Sequence, residues 1–372
     1  MPALISRPIN PLISAPISSP IGILSLPATL VTSIQQFTIA IDNAATTNTA
    51  TISAVNAASS IIIYDGVLTN GAGTDVEEAL AECTLTNSTT VTATRGAQDG
   101  TKDTTIRGVV VEFNPRLVAS VEYGTVNIPT SASTGTATLA TAVPSSRAAV
   151  IFLGSRVTGG TTAYTHAQMT VDLTGPATVT GRRNSNSATL SPTARFAVIR
   201  FVDGAVTSVQ QVNNTASSST ATSATATLTT PVDTTRTVLF SGGTASTQSA
   251  VAAGMWRWTL TNKSTVTWTR DTGTSANNIL YVTAVEFSPN IIKSIQRGTI
   301  AMSAVATNTA TVTAVTTTKA FANYTGLNVN SSATNANNVF ANLTLTNTTT
   351  LTAARSGSTG LCTIGYELVE FY

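Results

Sequence analysis

The stretch Glu82-Cys-Thr-Leu-Thr-Asn-Ser-Thr-Thr-Val-Thr-Ala-Thr-Arg95 alternates apolar and hydroxyl side chains on either side of Asn87-Ser88. Cys83 and Leu85, then Val91 and Ala93, fall on one face, with Thr84, Thr86, Thr92 and Thr94 on the other. Period-two alternation around an Asn-containing turn predicts a β-hairpin, and threonine, being β-branched, suits the open face of a strand. The same pattern is written four times. Leu85-Thr86-Asn87, Leu173-Thr174-Gly175, Leu260-Thr261-Asn262 and Leu345-Thr346-Asn347 lie 88, 87 and 85 residues apart. Each is followed at a constant distance by an arginine: Arg95, Arg183, Arg270 or Arg355.

Other landmarks repeat in step. Ser33-Ile34-Gln35 returns as Ser120-Val121-Glu122, Ser208-Val209-Gln210 and Ser294-Ile295-Gln296. Thr49 to Ile52 returns as Thr136 to Leu139, Thr225 to Leu228 and Thr309 to Val312. Each copy closes on Val111-Glu112-Phe113, Ile199-Arg200-Phe201, Val285-Glu286-Phe287 or Val369-Glu370-Phe371. Several motifs recurring in one order mean tandem copies of one unit. The expected organisation is an arm over 1–32 followed by repeats over 33–119, 120–207, 208–293 and 294–372. Short alternating runs with no long amphipathic helix predict an all-β chain of four antiparallel β-sandwich modules. Asp75 to Ala81 reads as one helical turn in the first copy, without support from the others.

The closing strand carries a further signal. Val109, Val111 and Phe113 are apolar on one face, yet Gly108 and Val110 on the other are not polar, and Ile364, Tyr366 and Leu368 behave likewise in the fourth copy. A strand apolar on both faces is covered on both. It is expected to lie inside its sheet, its second face against another sheet, module or subunit.

Composition narrows the function. Only 10% of the 372 residues are charged, with a net charge of +2, against about 25% charged in ordinary globular proteins. No basic cluster exists to engage nucleic acid or anionic lipid. The arm carries prolines at 2, 8, 11, 16, 20 and 27, which exclude a helix, a signal-peptide core and a membrane-spanning segment. Its apolar residues, including Ile21, Ile23, Leu24 and Leu26, are expected to lie along the chain's own modules or a neighbouring subunit. With Tyr366 and Leu368 they form the candidate assembly contact.

Candidate chemistry is sparse. Cys83 and Cys362 occupy non-equivalent positions and read as buried small hydrophobes, not a disulfide. His166 is the single histidine and reads as a loop or surface residue, so no zinc site is expected. The acids Asp75, Glu77, Glu78, Glu82, Asp99 and Asp103 suggest calcium, but lack EF-hand spacing and read as a solvated loop face. The recurring Glu112, Glu286 and Glu370 with Arg95, Arg270 and Arg355 suggest either a repeated ligand site or cross-strand pairs at the sheet rim, the pairs being favoured. Trp256, Trp258 and Trp268 all fall in the third copy, with Trp258 opposite Trp268 and Trp256 opposite Arg270 if Asn262-Lys263-Ser264 turns. They offer a glycan-stacking platform or a core; their equivalents are Ala81, Met169 and Ala341 for Trp256 and Ala93, Gly181 and Ala353 for Trp268, which favours the core. Nucleophile-elbow, phosphate-loop and HExxH motifs are absent, and neither an enzyme nor a cofactor is expected.

Ser294-Ile295-Gln296-Arg297-Gly298-Thr299-Ile300, Thr309-Ala310-Thr311-Val312, Leu345-Thr346-Asn347 and Gly365 to Phe371 resemble the tandem β-repeat structural proteins of tailed bacteriophage virions. The resemblance covers 33–372 and departs at Glu122, Gly175 and Arg200. It implies a non-enzymatic structural component of a head, tail, decoration or fibre. Its partners would be copies of itself and other virion proteins, and its place the virion, assembled in the host cytoplasm and then extracellular. The alternative is a receptor-binding adhesin contacting host surface glycans through the third repeat.

Overall fold

A computed structural model describes residues 30–71, 76–98, 100–158, 164–247, 254–271, 273, 276–330 and 335–372. Each repeat contributes six strands. Repeat 1 comprises β1 (Val31–Ile41), β2 (Thr47–Thr51), β3 (Ser60–Thr69), β4 (Ala81–Asn87), β5 (Thr90–Arg95) and β6 (Thr104–Phe113). Repeat 2 comprises β7 (Val118–Asn127), β8 (Thr134–Thr138), β9 (Ala148–Arg156), β10 (Thr170–Gly175), β11 (Thr178–Arg182) and β12 (Thr193–Phe201). Repeat 3 comprises β13 (Val206–Ser219), β14 (Ser223–Thr227), β15 (Thr237–Ser246), β16 (Arg257–Asn262), β17 (Thr265–Thr269) and β18 (Ala276–Phe287). Repeat 4 comprises β19 (Ile292–Ser303), β20 (Thr307–Thr311), β21 (Ala320–Val329), β22 (Ala341–Asn347), β23 (Thr350–Arg355) and β24 (Leu361–Phe371). Single helical turns α1 (Val76–Ala79) and α2 (Ala336–Val339) precede β4 and β22. The turn read for the first copy alone therefore recurs in the fourth.

The expected hairpin is present: β4 and β5 pair antiparallel from Ala81↔Arg95 to Leu85↔Val91. Asn87 Oδ1 accepts the Thr89 N–H at 2.9 Å, and Asn262 and Asn347 do the same for Ser264 at 2.8 Å and Thr349 at 2.9 Å. The side chain thus substitutes for a main-chain acceptor in the turn.

The self-contained sandwich, by contrast, needs correction. The strands form four six-stranded antiparallel sheets, ordered β1-β6-β3-β22-β23-β20, β7-β12-β9-β4-β5-β2, β13-β18-β15-β10-β11-β8 and β19-β24-β21-β16-β17-β14. Every sheet takes three strands from one repeat and three from the repeat before it. Repeat 4 completes the sheet begun by repeat 1, so the four sheets form a closed ring in the manner of a four-bladed propeller. The two halves of one repeat still meet across a core, as Val126, Val150 and Phe196 do with Val171, Leu173 and Val179. Their edges, however, continue into neighbouring repeats, and no repeat owns a complete sheet.

The doubly apolar closing strand explains how the ring is held. Each of β6, β12, β18 and β24 lies between two strands of its own repeat. Along β12, Ala194, Phe196 and Val198 belong to the core of repeat 2, whereas Ala197, Ile199 and Phe201 join a cluster that also holds Val111, Val285 and Val369. One face therefore serves the repeat and the other serves the ring. The closing phenylalanines meet in sequence, with Phe113–Phe371 at 5.8 Å, Phe371–Phe287 at 6.2 Å and Phe287–Phe201 at 5.4 Å between ring centroids. Edge-to-face contacts of this kind contribute about 0.5–1.5 kcal/mol each beyond the area they bury.

The seam between the halves of each sheet depends on one glycine. The bridge pairs are Gly66↔Asn342, Gly154↔Glu82, Gly243↔Thr170 and Gly326↔Arg257. All four glycines have positive φ: +101°, +95°, +86° and +82°. A Cβ there would come within 2.3–2.4 Å of a carbonyl oxygen of the neighbouring repeat, from Ala341, Ala81, Met169 or Trp256. The position demands glycine both for its backbone conformation and for the close approach of the two strands.

Candidate functional site

The repeated polar residues serve the main chain. The guanidiniums of Arg95, Arg183, Arg270 and Arg355 are buried. Each Nε donates to a carbonyl in the loop after the first strand: Ala45 at 3.0 Å, Ala132 at 2.9 Å, Ala221 at 3.0 Å and Val305 at 3.0 Å. Arg95 also reaches the Lys102 carbonyl at 2.7 Å and that of Asp42 at 2.8 Å, and Arg355 reaches those of Asn338 at 2.8 Å and Gly360 at 2.7 Å. One side chain thereby ties together two loops through their main-chain carbonyls. Burial lowers the pKa of Arg183, Arg270 and Arg355.

The recurring glutamates bind elsewhere. Glu112, Glu286 and Glu370 accept the main-chain N–H of Asn56 at 2.8 Å, Asp233 at 3.2 Å and Thr316 at 2.9 Å. The expected pairing of these two sets at the sheet rim is thus corrected, because each set caps a different loop. Burial pushes the Glu370 carboxyl up, but Lys293 and the Thr316 N–H outweigh it and hold its pKa below the usual range. The Ser-x-Gln motif has the same logic. Gln35 accepts from Ser53 N–H at 2.6 Å and donates to the Ser53 carbonyl at 3.1 Å, imitating a ladder partner with its side-chain amide. Gln210 pairs in this way with Thr230, and Gln296 with Thr313. In repeat 2, Glu122 accepts from Ala140 N–H at 2.7 Å.

Trp256, Trp258 and Trp268 are 2%, 4% and 0% exposed and belong to the core of repeat 3. Trp258 pairs with Trp268 in the strand register, and Arg270 lies over the Trp256 ring at 4.7 Å. A stacking platform for glycans needs exposed ring faces, which these residues do not offer. Tyr366 and Leu368 are buried within the chain, so their role as contacts between subunits is corrected to packing inside the ring. Ile21, Ile23, Leu24 and Leu26, with Asp75 and Asp99, lie outside the described residues. Cys83 and Cys362 are free and buried, and burial raises both thiols, Cys362 to about 12. His166 is half-buried in a short 3-10 turn, its Nδ1 3.3 Å from the Ser185 carbonyl oxygen. Among the described residues no group of three or more His, Cys, Asp or Glu is placed to hold a metal ion.

Glu82 is the largest departure from the expected solvated acidic face. It is 1% exposed at the seam between repeats 1 and 2, with Oε1 3.0 Å from Arg156 Nε and 3.3 Å from Arg195 Nε, while Oε2 accepts from Thr193 at 3.1 Å. The other seams differ. Arg182 pairs with Asp172 beside Tyr281 at the second, and burial raises the Asp172 carboxyl although Arg182 opposes it. At the third, Gly365 takes the place of Arg107, Arg195 and Tyr281, and a cavity of about 140 Å³ opens beside Arg257 and Arg297.

A second cavity, of about 110 Å³, is lined by residues from all four repeats and so lies on the axis of the ring. Its wall includes the seam glycines Gly66, Gly154, Gly243 and Gly326 and the residues two positions before them, Tyr64, Phe152, Ser241 and Tyr324. Leu80, Gln168, Met255 and Phe340, each preceding the fourth strand of its repeat, add a further layer, and Tyr164 joins from repeat 2. Burial raises the hydroxyls of Tyr64, Tyr164 and Tyr324, which remain protonated. Tyr64 donates to the Ala81 carbonyl at 3.1 Å, and the Tyr164 hydroxyl lies 3.5 Å from Met255 Sδ. The wall is mainly aromatic, thioether and aliphatic. No protein-family model matches this chain, and no curated protein matches it.

Sequence reasoning missed these seam and axial residues. One signal was present: a glycine recurs inside a strand pattern in every copy, and such a glycine marks a bulge or a close approach.

Proposed function

We propose that the chain is a non-catalytic structural protein of a tailed-phage virion, a ring-shaped building unit of a head, tail or fibre. The observation that carries this reading is the use to which the repeated residues are put. The recurring Arg, Gln/Glu, Asn and Gly positions hold loops, turns and seams, and so build a rigid frame. The residues that differ between repeats line the seams and the axis.

The hydroxyl-rich hairpin surfaces suit contact with neighbours of neutral charge. Thr174 and Thr180 lie 2.7 Å apart across one hairpin, and Thr261 donates to Thr267 at 2.6 Å across the next. Thr86 with Thr92 and Thr346 with Thr352 repeat the pair. The partners in this reading are copies of the chain and other virion proteins, with the virion as its location and, as the docking arm, residues 1–29, the part of the expected 1–32 arm that precedes the buried Leu30 and Val31.

The test is to delete residues 1–29 and compare full-length and shortened chains for folding, by circular dichroism, and for incorporation into particles, by electron microscopy and quantitative mass spectrometry. The expected result is a folded shortened chain that no longer incorporates. Absence of the full-length chain from purified particles, or hydrolysis of a polysaccharide by the purified protein, rules the reading out.

A further inference from the structure

The axial cavity owes its space to one departure from the repeat. Tyr64, Phe152 and Tyr324 each stand two residues before a seam glycine, and each pairs with the residue five positions before the closing phenylalanine: Gly108, Phe196 and Tyr366. In repeat 3 the same position, paired with Val282, is Ser241. Three aromatic residues and one serine therefore occupy this position of the cavity wall, Phe152 also packing against the core of repeat 2. The missing ring leaves room of the same order as the apolar cavity of about 150 Å³ that takes up benzene.

The wall also contains a buried polar atom without a partner. Gln168 is 4% exposed, and its Nε2 donates to the Gly254 carbonyl at 3.2 Å. Its Oε1 has no hydrogen-bond partner among the described residues, while the same amide side chain sits against the Tyr164 hydroxyl and opposes the rise in its pKa. A buried acceptor left unpaired is costly, and a ligand that supplies a donor recovers that cost. The neighbouring tyrosine hydroxyls stay neutral, so the site offers no anionic group to attract a cation.

From these two observations we infer that the axial cavity is a binding site for a neutral single-ring aromatic molecule carrying a hydrogen-bond donor, of the phenol class. The ring occupies the space that Ser241 vacates, between Tyr64, Phe152 and Tyr324, and the donor addresses Gln168 Oε1. Few ligand atoms are needed, because largely apolar residues from four repeats line the cavity and one polar contact orients the ring. This site goes beyond the structural role proposed above and does not depend on assembly.

The experiment titrates the full-length chain with phenol and with toluene, following calorimetry and the fluorescence of the cavity-lining Trp256 and Trp258. Saturable binding of one phenol per chain is expected, with toluene about tenfold weaker because it lacks the donor. Ser241→Phe restores the aromatic of the other three repeats and should abolish binding while the protein remains folded. Gln168→Leu should keep ring binding but lose the preference for phenol. If Ser241→Phe does not fold, Ser241→Leu, which fills less of the space, should weaken binding of both compounds. Failure of the folded wild-type protein to bind phenol, or undiminished binding by a folded Ser241→Phe or Ser241→Leu protein, overturns the inference.

Discussion

The seam between repeats 1 and 2 and the seam between repeats 4 and 1 share one backbone design and differ in side-chain chemistry. Both use a positive-φ glycine opposite a fourth-strand residue, Gly154 with Glu82 and Gly66 with Asn342. At the first seam, Glu82 is satisfied by Arg156, Arg195 and Thr193. At the second, which closes the ring, neither side-chain atom of the fully buried Asn342 has a hydrogen-bond partner, and Asp65 Oδ1 is also unpaired. Consecutive repeats are tethered by the chain, whereas the closing seam joins the first repeat to the last. The contrast teaches that the glycine geometry makes a seam possible and that buried polar chemistry sets its strength.

Changing either glycine to valine should have the largest effect, because valine tolerates neither the positive φ nor the carbonyl facing it. Gly154→Val and Gly66→Val should each cost more than about 3 kcal/mol, read by chemical denaturation. A Gly66→Val protein as stable as wild type would show that the closing seam contributes nothing. Glu82→Gln comes next. It leaves two arginines facing a neutral amide and should cost roughly 2–3 kcal/mol in the same assay. No loss there would mean that the buried ion pairs are not what distinguishes this seam.

Asp65 tests the closing seam through pH. Burial raises its carboxyl well above the ordinary value, although Arg107 pulls the other way. A raised folded pKa makes the folded state the better proton binder. The stability this adds is complete below the unfolded pKa and falls as pH rises toward the folded one. Asp65→Asn should therefore raise the melting temperature at neutral pH, with the gain shrinking as pH falls toward the ordinary aspartate range and vanishing below it. A pH-independent difference would assign the effect to packing. Asn342→Leu should be the mildest change, lying between neutral and a gain of about 1 kcal/mol, since it removes buried polar atoms that have no partner. A clear loss would reveal a partner for Asn342.

Local patterns were legible because they rest on period and turn chemistry. The Glu82–Arg95 hairpin follows from alternation around Asn87, and the interior position of Phe113 and its equivalents follows from a strand apolar on both faces. Comparison of copies also weighed Trp256, Trp258 and Trp268 toward the core, where they lie. Glu82 was misread because it stands in a run of acids, and its burial depends on Arg156 and Arg195 in another repeat. The Arg95 and Glu112 sets were paired by analogy with neighbouring strands. The partners that recur are main-chain groups, which are identical at every residue and leave no mark on the sequence, whereas Arg236 and Lys293 add ion pairs to Glu286 and Glu370.

By itself the sequence determined that this protein is all-β, built from four copies of one unit of several strands, with a closing strand that must be covered on both faces. Those properties follow from side-chain period and from the cost of exposing apolar surface. Only the tertiary structure decided that each unit divides between two sheets, that the last repeat completes the first, and that residues of all four repeats line a cavity on the axis. An edge strand offers the same N–H and C=O groups to any partner, so the choice between its own repeat and the next is made by ring closure and by glycines that let two strands approach.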